Sequence, residues 1–293
     1  MNIGVFGLGS MGYGMAQSLL RAGHQAAGFD INADAVARFR AEGGLDGDVA
    51  TLVPGFGAAV IVVLNADQTR TVIEQIAPLM PKGAVIVACA TVAPSFARDM
   101  GALCAGHGLH YLDAPISGGA AKAAQGKLSI MAAGSAQAFA TARPALDAMA
   151  ETVFELGDQP GPGSAMKAIN QLLAGVHIAA MAEAITFGMT QGVDPGQTVD
   201  VISKCAGTSW MFENRGPHIV DGDYTARSSV NIWPKDLGIV LDIAREAKFA
   251  APLTAAAMQQ FMAASGSGLG LEDDAAVAKV YARNAGLTLP EGK

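Results

Sequence analysis

Cysteine is scarce in this chain. Cys89, Cys104 and Cys205 are odd in number and far apart, which supplies neither a disulfide framework nor a zinc site and fits a reducing, cytoplasmic setting. Charge is sparse too, at 15% of residues, and it is tilted acidic, with 19 Lys and Arg against 26 Asp and Glu for a formal net charge of −7. A phosphate backbone calls for a basic face, so nucleic acid is not expected as a partner. Long hydrophobic runs are missing. Although 51% of residues are hydrophobic, the longest uninterrupted apolar stretch is about Ala58 to Leu64, too short to cross a bilayer. The first residues, Met1 to Gly7, carry neither a basic segment nor a small-residue cleavage site, so neither export nor a membrane partner is expected. The five histidines form no metal or nucleophile constellation, and no paired carboxylates suggest glycoside chemistry.

What is present is alternation. Ile3 to Gly7, Gln25 to Asp30, Ala59 to Leu64, Val85 to Ala88 and His110 to Asp113 read as strands separated by helix-length segments, the pattern of βαβ units. Leu128 to Ala133 and Thr152 to Leu156 read as two further strands. Gly157 to Gly163 holds three glycines and two prolines in seven residues, which marks a domain boundary. The expected division is 1–163 and 164–293. Beyond it, Ser164 to about Gln191 reads as one helix, with Ser164 as N-cap and Gly192 and Pro195 as the stop. At 1.5 Å per residue it would be roughly 40 Å long, enough to run along a domain junction. Further helices are expected near Pro195 to Ala206, Pro234 to Ala247, Pro252 to Ser265 and Asp274 to Asn284. The predicted fold class is therefore α/β followed by all-α.

Gly7-Leu8-Gly9-Ser10-Met11-Gly12 matches GxGxxG directly after a strand, and Asp30 stands at the end of the next strand. Gly7 permits the tight turn, Gly9 lets the backbone approach a pyrophosphate, and Gly12 allows the helix to pack closely on the strand. The free N–H groups and positive dipole end of the helix face the phosphates. Asp30 can accept hydrogen bonds from both hydroxyls of a ribose and would repel a 2′-phosphate. Neither Ile31 nor Asn32 offers a cation to offset that repulsion, so NAD is expected rather than NADP.

Two more signals lie further along the chain. Asp113 to Gly119 leaves a strand through a Ser117-Gly118-Gly119 turn, whose N–H groups and hydroxyl form the kind of concavity that holds a carboxylate. Lys167, Asn170 and Gln171 share a face of the long helix. Their apolar company, Met166, Ile169, Leu172 and Leu173, predicts that this part of the helix is buried. Desolvation would disfavour the ammonium form of Lys167 and prepare it to exchange a proton. Lys235 to Gly238 opens a later helix, as an exposed pair or as part of a site.

Together, the glycine motif, Asp113 to Gly119, Gly161 to Asn170 and Lys235 to Gly238 resemble the β-hydroxyacid dehydrogenase family along essentially the whole chain. The resemblance implies an amino-terminal Rossmann-type doubly wound sheet, a long interdomain helix, an all-helical carboxy-terminal domain and a substrate cleft between the domains. It also implies a homodimer or homotetramer acting on a small hydroxy acid. By the same matching, Ser117, Gly118 and Gly119 take the substrate carboxylate, Lys167 is catalytic and Asn170 holds substrate or lysine. Leu64, Asn65 and Thr91 lie beside the cofactor, and Lys235 reaches toward its nicotinamide end. Many relatives have glycine at the position of Lys122 and a second asparagine at that of Gln171. Lys122 is accordingly a candidate contact for the carboxylate or a distal hydroxyl.

Asn170 to Ala174 and Ala206 to Tyr224 resemble the branch of the family that oxidises C2 of four-carbon sugar acids. Trp210 and Phe212 stand either as walls of the substrate pocket or as core aromatics. Another hydroxyacid dehydrogenase of the family and a non-catalytic NAD-binding sensor remain as alternative readings, and imine reduction is disfavoured by Lys167.

Overall fold

The computed structural model describes residues 1–292. They form two compact units, the first spanning Met1–Lys167 and the second beginning at Ala168. The first contains, in order, β1 (Asn2–Phe6), α1 (Gly12–Arg21), β2 (Gln25–Phe29), α2 (Ala33–Ala41), α3 (Val49–Leu52), β3 (Ala58–Ile61), α4 (Ala66–Ile76), β4 (Val85–Ala88), α5 (Pro94–Gly106), β5 (His110–Asp113), β6 (Ile116–Ser117), α6 (Gly119–Gln125), β7 (Leu128–Ala132), α7 (Ala136–Met149) and β8 (Ala150–Glu155). Helix α8 (Pro162–Thr190) begins in this unit and continues into the second, where α9 (Pro195–Ile202), α10 (Trp210–Asp221), α11 (Ile232–Glu246), α12 (Pro252–Ala264) and α13 (Ala278–Asn284) are found.

Strands β1 to β5 pair in parallel in the order β2-β1-β3-β4-β5. Successive side chains of a strand point to opposite faces, and here both faces are apolar. Ala58 and Val60 join Ile3, Val5, Val85, Val87, Met15 and Leu19 in one cluster. Ala59 and Ile61 join Phe6, Ile86, Ile73, Ile76 and Met100 in another. A sheet packed on both sides needs such continuous apolar strands, as in a doubly wound fold. Because the strands are parallel, their carboxyl ends collect at one edge of the sheet. The glycine turn after β1, Asp30 after β2, Leu64 and Asn65 after β3, Thr91 after β4 and Asp113 closing β5 all lie at that edge, where open α/β sheets bind ligands.

The two further strands expected near Leu128 and Thr152 are present as β7 and β8, in a second, three-stranded sheet, β6-β7-β8, with β6 antiparallel and β8 parallel to β7. Several expectations are corrected. Ser164 is not the N-cap of α8, which starts two residues earlier at Pro162. Helix α10 was not foreseen, because Gly216 and Pro217 sit inside it. Helix α8 is by itself long and apolar enough to cross a membrane, with a mean hydropathy of 1.6. The longest-run criterion overlooked it because Lys167, Asn170, Gln171 and His177 interrupt its apolar residues. In the second unit it is a core helix: Ala174, Ile178, Ala179, Met181, Ala182 and Ile185 pack with Phe212, Trp233, Leu237 and Phe261.

Candidate functional site

The glycine turn is built by backbone proximity. Gly7 has φ +101°, and a Cβ there would come within 2.3 Å of the Val62 carbonyl oxygen. A Cβ on Gly12 would lie 1.9 Å from the Gly7 carbonyl oxygen, so α1 can begin where it does only without a side chain. Gly9 is different, since a Cβ there would meet nothing within 4 Å. Its backbone borders a cavity of about 600 Å³ that is also lined by Leu8, Ser10, Asn32, Arg38 and Ala120. Open space over the turn, next to a helix start, is what a dinucleotide pyrophosphate requires, so the residues fit NAD.

Asp30 stands at the rim, where its carboxylate accepts the Leu8 N–H at 2.6 Å and the Asn32 N–H at 2.8 Å. These bonds tie the glycine turn to the end of β2 and leave lone pairs on both oxygens for a ribose. Two cavity residues escaped sequence reasoning. Arg38 lies over the Tyr13 ring at 4.1 Å, and the Tyr13 hydroxyl donates to Glu42. Their signal was helical spacing, with Tyr13 and Gln17, and Asp34 and Arg38, each one turn apart. Ile31 and Asn32 supply no cation, but Arg38 brings one to the cavity.

The second motif lies near the first. Helix α6 comes directly after the Ser-Gly-Gly turn and packs so tightly on α1 that a Cβ on Gly14 would sit 2.6 Å from the Ala124 nitrogen. Ser117 pairs with Ser129 across β6 and β7. Gly118 and Gly119 have φ +134° and +76°, backbone that favours glycine. The Lys122 stem lies against Gly118, its Cδ 3.0 Å from where a Cβ would be, so the lysine is beside the turn.

Lys167 is 8% exposed and has an interaction partner within the protein. The reason expected for that burial is wrong. Met166, Ile169 and Leu173 are 40%, 54% and 48% exposed, on the open face of α8. What fixes the start of the helix is Asp113, itself 1% exposed. One carboxylate oxygen accepts the N–H groups of Gly161 and Ser164, both at 2.9 Å, and the other accepts the Ser164 hydroxyl at 2.6 Å. Gly163 allows this approach, since a Cβ there would come within 2.6 Å of the Asp113 carbonyl oxygen. Burial pushes the Asp113 carboxyl above its ordinary value, and the bonds from Ser164, Gly161 and Gly163 partly offset that. No local signal announces the contact, because it spans 48 to 51 positions.

The other residues expected beside the cofactor are less distinctive. Leu64 is 57% exposed and its N–H donates to Gln68. The Asn65 side chain caps α4 by accepting from the Gln68 N–H, and Thr91 is half-buried. In the second unit, Asn170 is bonded to Gln171, Gln171 to Asp236, and Asp236 to Lys235. Phe212 is buried in the helical core, whereas Trp210 is 59% exposed.

Residues 2–157 match the model of the NAD binding domain of 6-phosphogluconate dehydrogenase, and residues 161–281 the model of the NAD-binding domain of NADP-dependent 3-hydroxyisobutyrate dehydrogenase. The chain is 50% identical to the L-threonate dehydrogenase of Cupriavidus necator, covering 99% of this chain and 98% of that one. It is 43% identical to the L-threonate dehydrogenase of Escherichia coli K12, covering 100% and 97%. A crystal structure of 3-hydroxyisobutyrate dehydrogenase from Salmonella typhimurium superposes with a TM-score of 0.90 at 46% identity, covering 96% of this chain and 99% of that one.

Proposed function

This chain belongs to the NAD-dependent β-hydroxyacid dehydrogenase family, and on that footing we propose that it oxidises the C2 hydroxyl of L-threonate to the 2-oxo acid, with Lys167 as general acid/base. The substrate reading is supported by full-length relatives of that name. The mechanism is carried by one observation: the end of β5 both leads into the Ser117-Gly118-Gly119 turn and, through Asp113, holds the helix of Lys167.

The bound nicotinamide supplies a hydride acceptor. Gly7 to Gly12, Asp30, Leu64, Asn65, Thr91 and Lys235 are the residues proposed to hold the cofactor. The Ser117 hydroxyl and the N–H groups of Gly118 and Gly119 hold the substrate carboxylate, with Lys122 as a further contact for it or for a distal hydroxyl. Fixing the carboxylate leaves the neighbouring C2 hydroxyl directed at the Lys167 amine. Lys167 Nζ takes the hydroxyl proton as the C2 hydrogen departs and returns it in the reverse reaction. A buried amine suits this role because little water competes for the proton. Asn170 orients the substrate.

The scarcity of cysteine supports a cytoplasmic setting. Exposed Met166, Ile169 and Leu173 on α8 support assembly into a homodimer or homotetramer, which light scattering resolves. The deciding experiment for the substrate is an NAD-linked screen of four-carbon sugar acids and 3-hydroxyisobutyrate, with the product identified by mass and NMR. A 2-oxo acid from L-threonate is expected. Preferred turnover of 3-hydroxyisobutyrate would move the assignment to the activity named for the Salmonella structure.

A further inference from the structure

A chain of side-chain amides in the helical unit has a direction. Asn170 Nδ2 donates to Gln171 Oε1 at 2.9 Å, and Gln171 Nε2 donates in turn to Asp236 Oδ2. Asp236 Oδ1 takes the ammonium of Lys235. Gln171 and Asp236 are 7% and 3% exposed, so bulk water barely competes for these bonds. Gly175, one turn beyond Gln171, brings the helices together. A Cβ there would come within 2.8 Å of Leu237 and 2.9 Å of Trp233, so α8 and α11 touch at that level. The glutamine spans the remaining distance, and asparagine, one methylene shorter, would not.

A carboxylate accepts hydrogen bonds and a lysine ammonium only donates them. Asp236 therefore decides which end of the Gln171 amide faces it: the nitrogen turns toward Asp236 and the oxygen toward Asn170. That oxygen can only accept, so Asn170 turns its Nδ2 inward. The Asn170 amide is planar, which places its Oδ1 on the opposite edge.

We infer that Gln171 is a positioning residue that makes Asn170 present a carbonyl acceptor to the substrate, so that Asn170 recognises a second, non-reacting hydroxyl of the hydroxy acid rather than its carboxylate. The inference rests on the proposed placement of Asn170 at the substrate. An ionised carboxylate has no proton to offer such an acceptor, whereas the hydroxyl next to C2 of a sugar acid does.

The test compares NAD-linked oxidation of L-threonate with that of its 3-deoxy and 3-fluoro analogues by the wild type, Asn170→Ala and Gln171→Met. Fluorine can accept but cannot donate. The kcat/KM ratios in Asn170→Ala report the intrinsic reactivity of each analogue, and every other ratio is read against them. On that scale the wild type is expected to disfavour both analogues by about tenfold or more, and Gln171→Met to lose most of that discrimination. If Gln171→Met does not fold, as judged by thermal melting, the shorter Gln171→Asn carries the same expectation. Wild-type enzyme that accepts the 3-fluoro analogue as readily as L-threonate, or glutamine variants that discriminate fully, would overturn the inference alone. Absence of turnover with all three acids would overturn the substrate reading beneath it and the inference with it.

Discussion

The carboxylate of Asp113 holds both the backbone N–H and the hydroxyl of Ser164, at 2.9 and 2.6 Å, inside the protein. Asp113 ends a strand and Ser164 lies in the first turn of the helix that carries Lys167 one turn on. One buried acidic group thus does the capping that Ser164 was expected to do, and it couples the sheet to the proposed catalytic amine.

Removing that group should be costly. Asp113→Ala leaves two N–H groups and a hydroxyl buried without their acceptor and is expected to destabilise the fold by about 3 kcal/mol, measured by urea unfolding. The ionisation of Asp113 also has a signature. Its folded pKa lies above the ordinary 3.8 because of burial, so the folded state keeps the proton over a pH range in which the unfolded chain has lost it. Its contribution to stability therefore declines as pH rises through the window just above 3.8. The wild type should show that slope relative to Asp113→Asn, and the opposite slope would contradict it.

The contact of α1 with α6 predicts sensitivity at Gly14. A methyl there would lie 2.6 Å from the Ala124 backbone nitrogen, and backbone yields poorly. Gly14→Ala should lose about 1–3 kcal/mol and, because α6 starts at the Ser-Gly-Gly turn, raise KM for the hydroxy acid. Unchanged stability and KM would show that α6 shifts freely.

Much of this was legible in the sequence. Glycine turns, strand periodicity and the terminal Asp30 are local patterns, so the first unit and its carboxyl edge followed from them. The Asp113 cap and the Gln171–Asp236 bond were not legible, since each joins positions about fifty or more apart and depends on how elements pack. Periodicity also misjudged α8. Apolar Met166, Ile169 and Leu173 suggested a buried face but lie open, because hydrophobicity marks a surface that can be covered without saying what covers it.

Asp30 should govern the choice of cofactor. Asp30→Ala removes the acceptor proposed for the ribose hydroxyls and the charge that repels a 2′-phosphate. The kcat/KM preference for NAD over NADP is expected to fall about tenfold or more, checked by steady-state kinetics with both nucleotides. Arg38 in the same cavity then becomes available to the added phosphate. An undiminished preference would show that Asp30 does not set the choice of nucleotide.

The thiols should divide cleanly. Cys89 and Cys104 are buried and burial pushes both up to about 12, whereas Cys205 is exposed. Thiolate is the reactive species. In the native protein near pH 8, a chromogenic disulfide reagent should therefore titrate one thiol quickly and the other two only after unfolding. Rapid reaction of all three would show that the Rossmann-type core opens readily.

Proton transfer by the amine of Lys167 is tested most directly by single-turnover oxidation of L-threonate by Lys167→Ala with saturating NAD. Loss of proton transfer predicts a rate about 10²–10⁴-fold below that of the wild type, with NAD binding by fluorescence unchanged. A variant that transfers hydride at close to the wild-type rate would show that the proton leaves by another route.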